Sequence, residues 1–486
     1  MRGGWSRACG PRANWRRARR TRAEESHLVE DAIPSGPDGE RARVLSLLRQ
    51  YGWNATSFQV LQPGFAYWFD AAGDGCVAYV DTGGAWVAAG APIASHERVR
   101  EVALEFQQAA RGAGRRVCFF ATEPRFAELT SVEQLSVGEQ PVWDPARWEG
   151  VVRGSRSLRE QLRRARAHRV TVREVPAEVM EDAAHPTHRA VGALMERWLA
   201  ARRMAPMGFL VRLAPSAFAR ERRAFVAEVD GQVRGFLSVS PVYARDGWFL
   251  QDLLRDPSAP NGTVELLVDA AMRAAASEGR RYVTLGLAPL AGPVRPWLRL
   301  ARACGRPLFD FEGLHAFKAK FRPDAWVPIS LAYPPGGSGP LAVYDALRAF
   351  AQGSLVLFGL ATLVRRPRLL VHLLAALLVP WTALLALPVS VRWFPSESVQ
   401  WGWVFFDIGL AAGLFALVRR WSDRLATALG GLTAADACLT FLQAAVFNAA
   451  RARGPGDWLV IVASVLAPAT ASGLLFRSRD LRLPGR

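Results

Sequence analysis

The sequence predicts two related α/β halves in tandem, followed by an all-α transmembrane bundle of about four helices. Three observations predict it. Strand-like apolar runs alternate with helix-spaced ones up to about residue 330, and the same order occurs twice. A breaker-rich linker, Pro334-Pro335-Gly336-Gly337-Ser338-Gly339-Pro340, follows. Beyond it come four apolar stretches of near-spanning length, edged by tryptophans.

The 486 residues allow two to four domains, and 50% hydrophobic with 21% charged residues excludes a wholly disordered chain. A net charge of +18 favours anionic partners, nucleic acid or anionic lipid. Of the 61 basic residues, only Lys318 and Lys320 are lysines. The five cysteines form no CxxC pair, and the seven histidines show no HxH or HExxH spacing. No metal site and no disulfide framework is therefore expected, and a reducing compartment suits the soluble part.

Residues 1–40 read as a disordered basic arm, with eight Arg before Glu24 and without the apolar segment of a signal peptide. Residues 41–150 form the first half. Val44, Leu47 and Leu48 mark a short helix. Strands are expected at Tyr67–Phe69, Cys76–Val80, Ala85–Ala88 and Val117–Phe120, with a helix over Val99–Ala110. The second half, residues 151–335, repeats the order. Phe225–Val229 and Val233–Val239 flank the hairpin signal Asp230-Gly231. Trp248–Leu250 and Tyr282–Leu287 read as strands. Between them lies a helix over about Val264–Ala276, with Asn261 as its expected N-cap.

Residues 336–365 read as linker plus an interfacial helix, since Leu355–Val364 is too short to span. Residues 366–486 hold the expected spans Leu369–Val391, Trp401–Val418, Ala434–Ala450 and Trp458–Phe476. Trp393, Trp401, Trp403, Trp421 and Trp458 sit at their edges. Arginines crowd alternate loops: Arg365, Arg366 and Arg368, then Arg419, Arg420 and Arg424, then Arg477, Arg479, Arg482 and Arg486. The positive-inside rule places the α/β region and the C-terminus in the cytoplasm, with the chain in the inner membrane.

Three patches carry candidate chemistry. Asp252 and Arg255 stand where a strand ends, and Glu265 in the first turn of the next helix, where α/β sheets build sites. Acids there suit an ammonium and Arg255 a phosphate or carboxylate; a capping cluster is the competing reading. Read as a strand, Phe317–Pro323 would put Lys318 and Lys320 on one face, suited to phosphate, or else as a solvated edge. In the helix Ser155–Val170, Arg156, Arg159, Arg163 and Arg166 fall on one face. That stripe suits an RNA backbone or anionic lipid, as well as plain solvent. His168, His185, His188 and His315 receive no role.

The run Asp252–Glu265, then Gly286–Leu290 and Phe317–Pro323, resembles the catalytic domain of the aminoacyl-phosphatidylglycerol synthases. These are the phosphatidylglycerol lysyltransferases, or multiple peptide resistance factors. Phe58–Tyr67, Val87–Pro92 and Ser157–Val170 are similar too, so the resemblance covers about residues 41–335. It implies two tandem GNAT-like (acetyltransferase-type) folds, an aminoacyl-tRNA donor, a phosphatidylglycerol acceptor and no cofactor. Asp252, Arg255, Gly262, Lys318 and Lys320 match the family's pattern, while Glu265 stands where the family usually shows Asp. The membrane part also departs, because here it follows the catalytic region. The resemblance implies a catalytic set of Asp252, Arg255, Glu265, Lys318 and Lys320. Gly262 and the stripe Arg159, Arg163 and Arg166 are expected to bind substrate. Two other readings are an acyl-CoA-dependent N-acyltransferase and a non-catalytic scaffold for lipid or RNA. The first lacks its pyrophosphate loop, since Pro260-Asn261-Gly262-Thr263 carries one glycine.

Overall fold

A computed structural model describes residues 39–477 apart from Arg203 and Pro307. The basic arm therefore lies outside the described residues, except Gly39 and Glu40, as do Arg479, Arg482 and Arg486.

One continuous sheet forms the α/β region. The first half supplies β1 (Ala66–Phe69), β2 (Cys76–Asp81), β3 (Ala85–Ala89), β4 (Arg116–Thr122) and β5 (Glu133–Trp143). The second supplies β6 (Thr171–Val175), β7 (Arg223–Val229), β8 (Gln232–Val242), β9 (Gly247–Arg255), β10 (Tyr282–Thr284), the two-residue β11 (Ala288–Pro289) and β12 (Ala325–Tyr333). Their order is β1-β2-β3-β4-β12-β5-β10-β9-β8-β7-β6, with β11 on β5.

Each half has the same centre: two parallel strands joined by a helix. Ala85–Ala89 runs parallel to Arg116–Phe120, with helix Val99–Gly112 between them. Gly247–Phe249 runs parallel to Tyr282–Thr284, with helix Thr263–Ser277 between them. The outer strands are antiparallel meanders. The halves then exchange their last strands: β5 leaves the first to pair with β10, and β12 returns to pair with β4. β5 and β12 also pair with each other over nine register positions, which joins the two units.

Local signals explain the elements. Asp230 (φ 49) and Gly231 (φ 75) both take positive φ, as a two-residue I′ turn requires. Val99, Val102, Phe106 and Ala110 pack against Val117 and Phe119 of β4. Leu158, Leu162 and Ala165 of helix Arg156–Ala167 join Leu267, Ala271 and Ala275 in the second half's core.

Three expectations need correction. The strand expected at Tyr282–Leu287 ends at Thr284, whose hydroxyl donates to Pro141 O (2.7 Å) and accepts from Gly286 N (3.0 Å), turning the chain out of the sheet. The cap of helix Thr263–Ser277 is Gly262, not Asn261, because only φ 93 brings the chain in under the neighbouring helix. Phe317–Pro323 is not a strand: helix Phe311–Ala319, capped by Asp310 on Gly313 N (2.8 Å), carries Lys318, and Lys320 closes it.

Beyond the sheet, helix Gly339–Phe350 is no free linker. Its Ala342, Ala346 and Ala349 enter the first half's core, and Arg116 grips the buried Asp345 at 2.7 and 2.9 Å. Helix Leu355–Val364 follows at a 60° bend. Among the described residues, three helices are long and apolar enough to cross a membrane by themselves: Glu397–Arg419, Asp423–Arg451 and Pro455–Phe476. The first expected span, Leu369–Val391, is broken. Its helix Pro367–Leu385 stops ahead of Pro388, and its 19 residues, about 28 Å long, lie at the short end of the ~17–25 that cross a bilayer.

Candidate active site

The parallel pair β9/β10 is matched for only three residues, after which β9 continues to Arg255 and the other strand turns away. A β-bulge between Ser238 and Val239 on β8 shifts the register beside this opening. Leu250 then faces one core, while Leu254 faces the other. Asp252 and Leu254, two apart in the strand, share that second face.

Asp252 is 4% exposed. Its Oδ2 accepts from Ser238 Oγ (2.6 Å) and from Arg222 NH1 (3.5 Å), and Gln251 Nε2 approaches Oδ1 at 3.4 Å. Arg222 is itself buried, its Nε has no hydrogen-bond partner among the described residues, and its guanidinium lies 5.2 Å from the Phe58 ring of the first half. Burial outweighs the long ion pair, so the Asp252 carboxyl sits above the usual carboxylate range. Arg222 and Ser238 escaped the sequence reading. They lie 30 and 14 residues upstream, and neither stands in a motif.

Arg255 does not pair with Asp252. Its NH2 donates to Ala259 O (2.6 Å) and Asn261 Oδ1 (3.3 Å), holding the loop before the helix. Its Nε is buried without a hydrogen-bond partner among the described residues.

The two lysines do not share a face. Residues two apart in a helix diverge by about 200°. Lys318, 5% exposed, donates to Leu285 O, Gly286 O and Leu287 O at 2.8, 2.8 and 2.9 Å. It thereby fixes the chain that has just left the sheet. Burial pulls its ammonium down to about 7, while three carbonyls matched to its three protons favour the charged form. Lys320 instead pairs with Glu265 and lies 4.2 Å over the Phe317 ring. Glu265, 8% exposed, is thus engaged by a lysine, as the first turn of a helix favours.

Gly262 is where two backbones meet: a Cβ there would stand 2.2 Å from Gln161 O of helix Arg156–Ala167. The arginines of that helix are exposed but partly engaged. Arg159 donates to Arg153 O, Arg163 and Arg164 clasp Glu160 at 2.9 Å, and Arg166 reaches Asp269 at 3.5 Å. These interactions draw Glu160 down to about 2, chiefly through hydrogen bonds from Arg163 and Arg164. His315 Nε2 lies 3.0 Å from Glu139 Oε1, and its ring lies 4.5 Å from that of Trp326. Among the described residues no group of His, Cys, Asp and Glu could hold a metal.

The structure brings Glu265 to Lys320, anchors Lys318 at the opening of the sheet, and leaves Asp252 and Arg255 with other partners. The family described as "Phosphatidylglycerol lysyltransferase, C-terminal" matches residues 45–333. The chain is 25% identical over 313 residues to the phosphatidylglycerol lysyltransferase of Bacillus subtilis, covering 62% of this chain and 36% of that protein. It is 26% identical over 336 residues to the lysylphosphatidylglycerol biosynthesis bifunctional protein LysX of Rhodococcus jostii, covering 64% and 28%. It thus spans about a third of the length of these relatives. In fold it is similar to the C-terminal domain of a putative lysylphosphatidylglycerol synthetase from Agrobacterium fabrum (TM-score 0.56, 23% identity, 65% of this chain and 98% of that one). It is also similar to L-PGS from Bacillus licheniformis (TM-score 0.53, 19% identity, 66% and 99%). The two α/β halves in tandem expected from the sequence stand.

Proposed function

The chain belongs to the phosphatidylglycerol lysyltransferase C-terminal family, and on that footing we propose that it transfers an aminoacyl group from aminoacyl-tRNA to phosphatidylglycerol. The lipid hydroxyl attacks the ester carbonyl of the donor. A new ester C–O bond forms, the old one breaks, and the tRNA ribose hydroxyl leaves with the proton. One ester replaces another, so positioning and oxyanion stabilisation supply most of the acceleration.

The observation that carries this reading is the opening between β9 and β10, with a buried carboxylate on one strand and a lysine-anchored turn on the other. Asp252 and Glu265 would receive the aminoacyl ammonium, and Arg255, Lys318 and Lys320 would manage phosphate and developing oxyanion charge. Arg159, Arg163 and Arg166 lie on the exposed face of a helix that touches Gly262, and would receive the tRNA backbone. Gln161 O lies against the N-cap of helix Thr263–Ser277, where an acyl-CoA enzyme would need room for pyrophosphate. The catalytic region and the C-terminus would face the cytoplasm, where aminoacyl-tRNA is found. Expression in a host lacking aminoacylated lipids, followed by lipid mass spectrometry, tests the proposal. A new aminoacyl-phosphatidylglycerol species is expected, and an unchanged lipid profile would refute it.

A further inference from the structure

Two helices join the sheet to the bundle, Gly339–Phe350 and Leu355–Val364, bent by 60° to one another. By length and composition they would also fit one span broken in its middle. The packing decides against that. Ala342, Ala346 and Ala349 of the first helix lie in the core of the first half, and Arg116 holds its buried Asp345. The second helix has ten residues, about 15 Å, half the hydrocarbon thickness. One helix is fixed to the sheet and the other is too short to cross.

Both nevertheless turn apolar faces outward. Leu341, Tyr344 and Leu347 follow one another at three-residue steps, on the side of the first helix away from its alanines. Val356, Leu357 and Leu360 lie on the side of the second helix away from the buried Thr362. These six side chains are 39–72% exposed. Apolar surface of that extent in one place marks an interface.

The course of the chain shows what covers it. Val364 and Pro367, where the next helix starts, are three residues apart, at most about 11 Å. That next helix packs Val371 and Ala375 with Leu414 and Leu417 of the span Glu397–Arg419, so its start lies at the membrane boundary. The headgroup layer there is about 5–8 Å deep. A surface tethered so closely meets lipid before it meets a second copy of the chain. Arg348, Arg365 and Arg366 flank the two faces and complement anionic phosphates.

We propose that the outward faces of these two helices dock into the headgroup layer of the leaflet nearest the sheet, with the flanking arginines on anionic lipid. The docking reaches the candidate active site. Gly208 N donates to Phe350 O (2.9 Å), Ala205 N to Thr362 Oγ1 (3.2 Å) and Arg365 NH1 to Leu199 O (3.2 Å). The segment so held runs on to Arg222, the partner of Asp252. One helix is thus built into the first half and the other is bonded to the second, so docking sets the height of both above the bilayer. That consequence for catalysis rests on the transfer reading, whereas the docking itself does not.

The test places a benzophenone amino acid singly at Tyr344, at Leu357 and at Leu104, in the full chain in nanodiscs of phosphatidylcholine and phosphatidylglycerol. Leu104 is 48% exposed and belongs to the helix packed on the opposite face of the first half's sheet. Irradiation should give lipid adducts from positions 344 and 357 at least about tenfold above position 104, the worth of burying one leucine. Adducts to a second chain in their place, or lipid adducts no more frequent than at position 104, would overturn the proposal. Leu357→Asp combined with Leu360→Asp should then lower transfer to phosphatidylglycerol in nanodiscs about tenfold. Transfer to dihexanoyl-phosphatidylglycerol in detergent should stay at the parent's rate, because fold and site are untouched. Equal loss in both settings would overturn docking as the cause. A parent that transfers nothing would refute the transfer reading, while the adducts still decide the docking.

Discussion

Replacing Asp252 by Asn isolates the buried pair at the sheet opening. The substitution keeps shape and the Ser238 hydrogen bond but removes the charge facing Arg222, a guanidinium that stays protonated. Breaking a buried pair costs about 3–5 kcal/mol. The pair is long, 3.5 Å, so the lower end, ~3 kcal/mol, is the expectation. Arg222→Met should cost less, ~1–2 kcal/mol, because the raised carboxyl of Asp252 can take up a proton once its partner has gone. The double variant should return to within ~1 kcal/mol of the parent, since no uncompensated charge is left. Urea unfolding of the full chain in detergent measures all four proteins, alongside aminoacyl-lipid formation per folded molecule. If Asp252 receives the substrate ammonium, the double variant regains stability and stays inactive. An Asp252→Asn protein as stable as the parent would refute the electrostatic argument. A double variant that regains transfer would remove Asp252 from the active site.

Neutralising Arg159, Arg163 and Arg166 together should weaken tRNA binding and lower the log–log salt slope by roughly 0.7–0.9 for each phosphate no longer neutralised; an unchanged slope would leave the stripe to solvent or lipid. Lys318→Met should remove a pH dependence of stability. The folded ammonium titrates near 7 and the unfolded one near 10.5, so the unfolded state binds the extra proton between them and parental stability rises across that window. Melting curves at pH 7 and 9 should therefore show the parent gaining on the variant, and parallel curves would contradict this. Reporter fusions after Arg486 should be active in the cytoplasm and those within Pro395–Gln400 outside it, and the reverse pattern would invert the topology.

What was legible in the sequence was local. Asp230-Gly231 declared its hairpin because few other residues tolerate two positive φ values in a row. Val99, Val102, Phe106 and Ala110 declared a helix by their spacing. The exchanged strands β5 and β12 left no such mark, because each takes its register from strands of both halves. The same holds at the site. The motif residues Asp252, Glu265 and Lys320 stood out, but their partners did not. Arg222 meets Asp252, and Lys320 meets Glu265 across 55 positions, only after the sheet is built. Lys318 was misread because alternation in Phe317–Pro323 also fits a helix whose cap, Asp310, lies upstream. The break in the first expected span was foreshadowed by Pro388, which an apolar count alone ignores.

The most direct measurement gives the purified full chain phosphatidylglycerol vesicles and tRNA charged with a radiolabelled amino acid. The account requires label to move into the lipid phase, to depend on intact tRNA, and to be abolished by ribonuclease treatment beforehand. Label that stays with tRNA across the charged amino acids, or that reaches lipid equally from free amino acid, would contradict it.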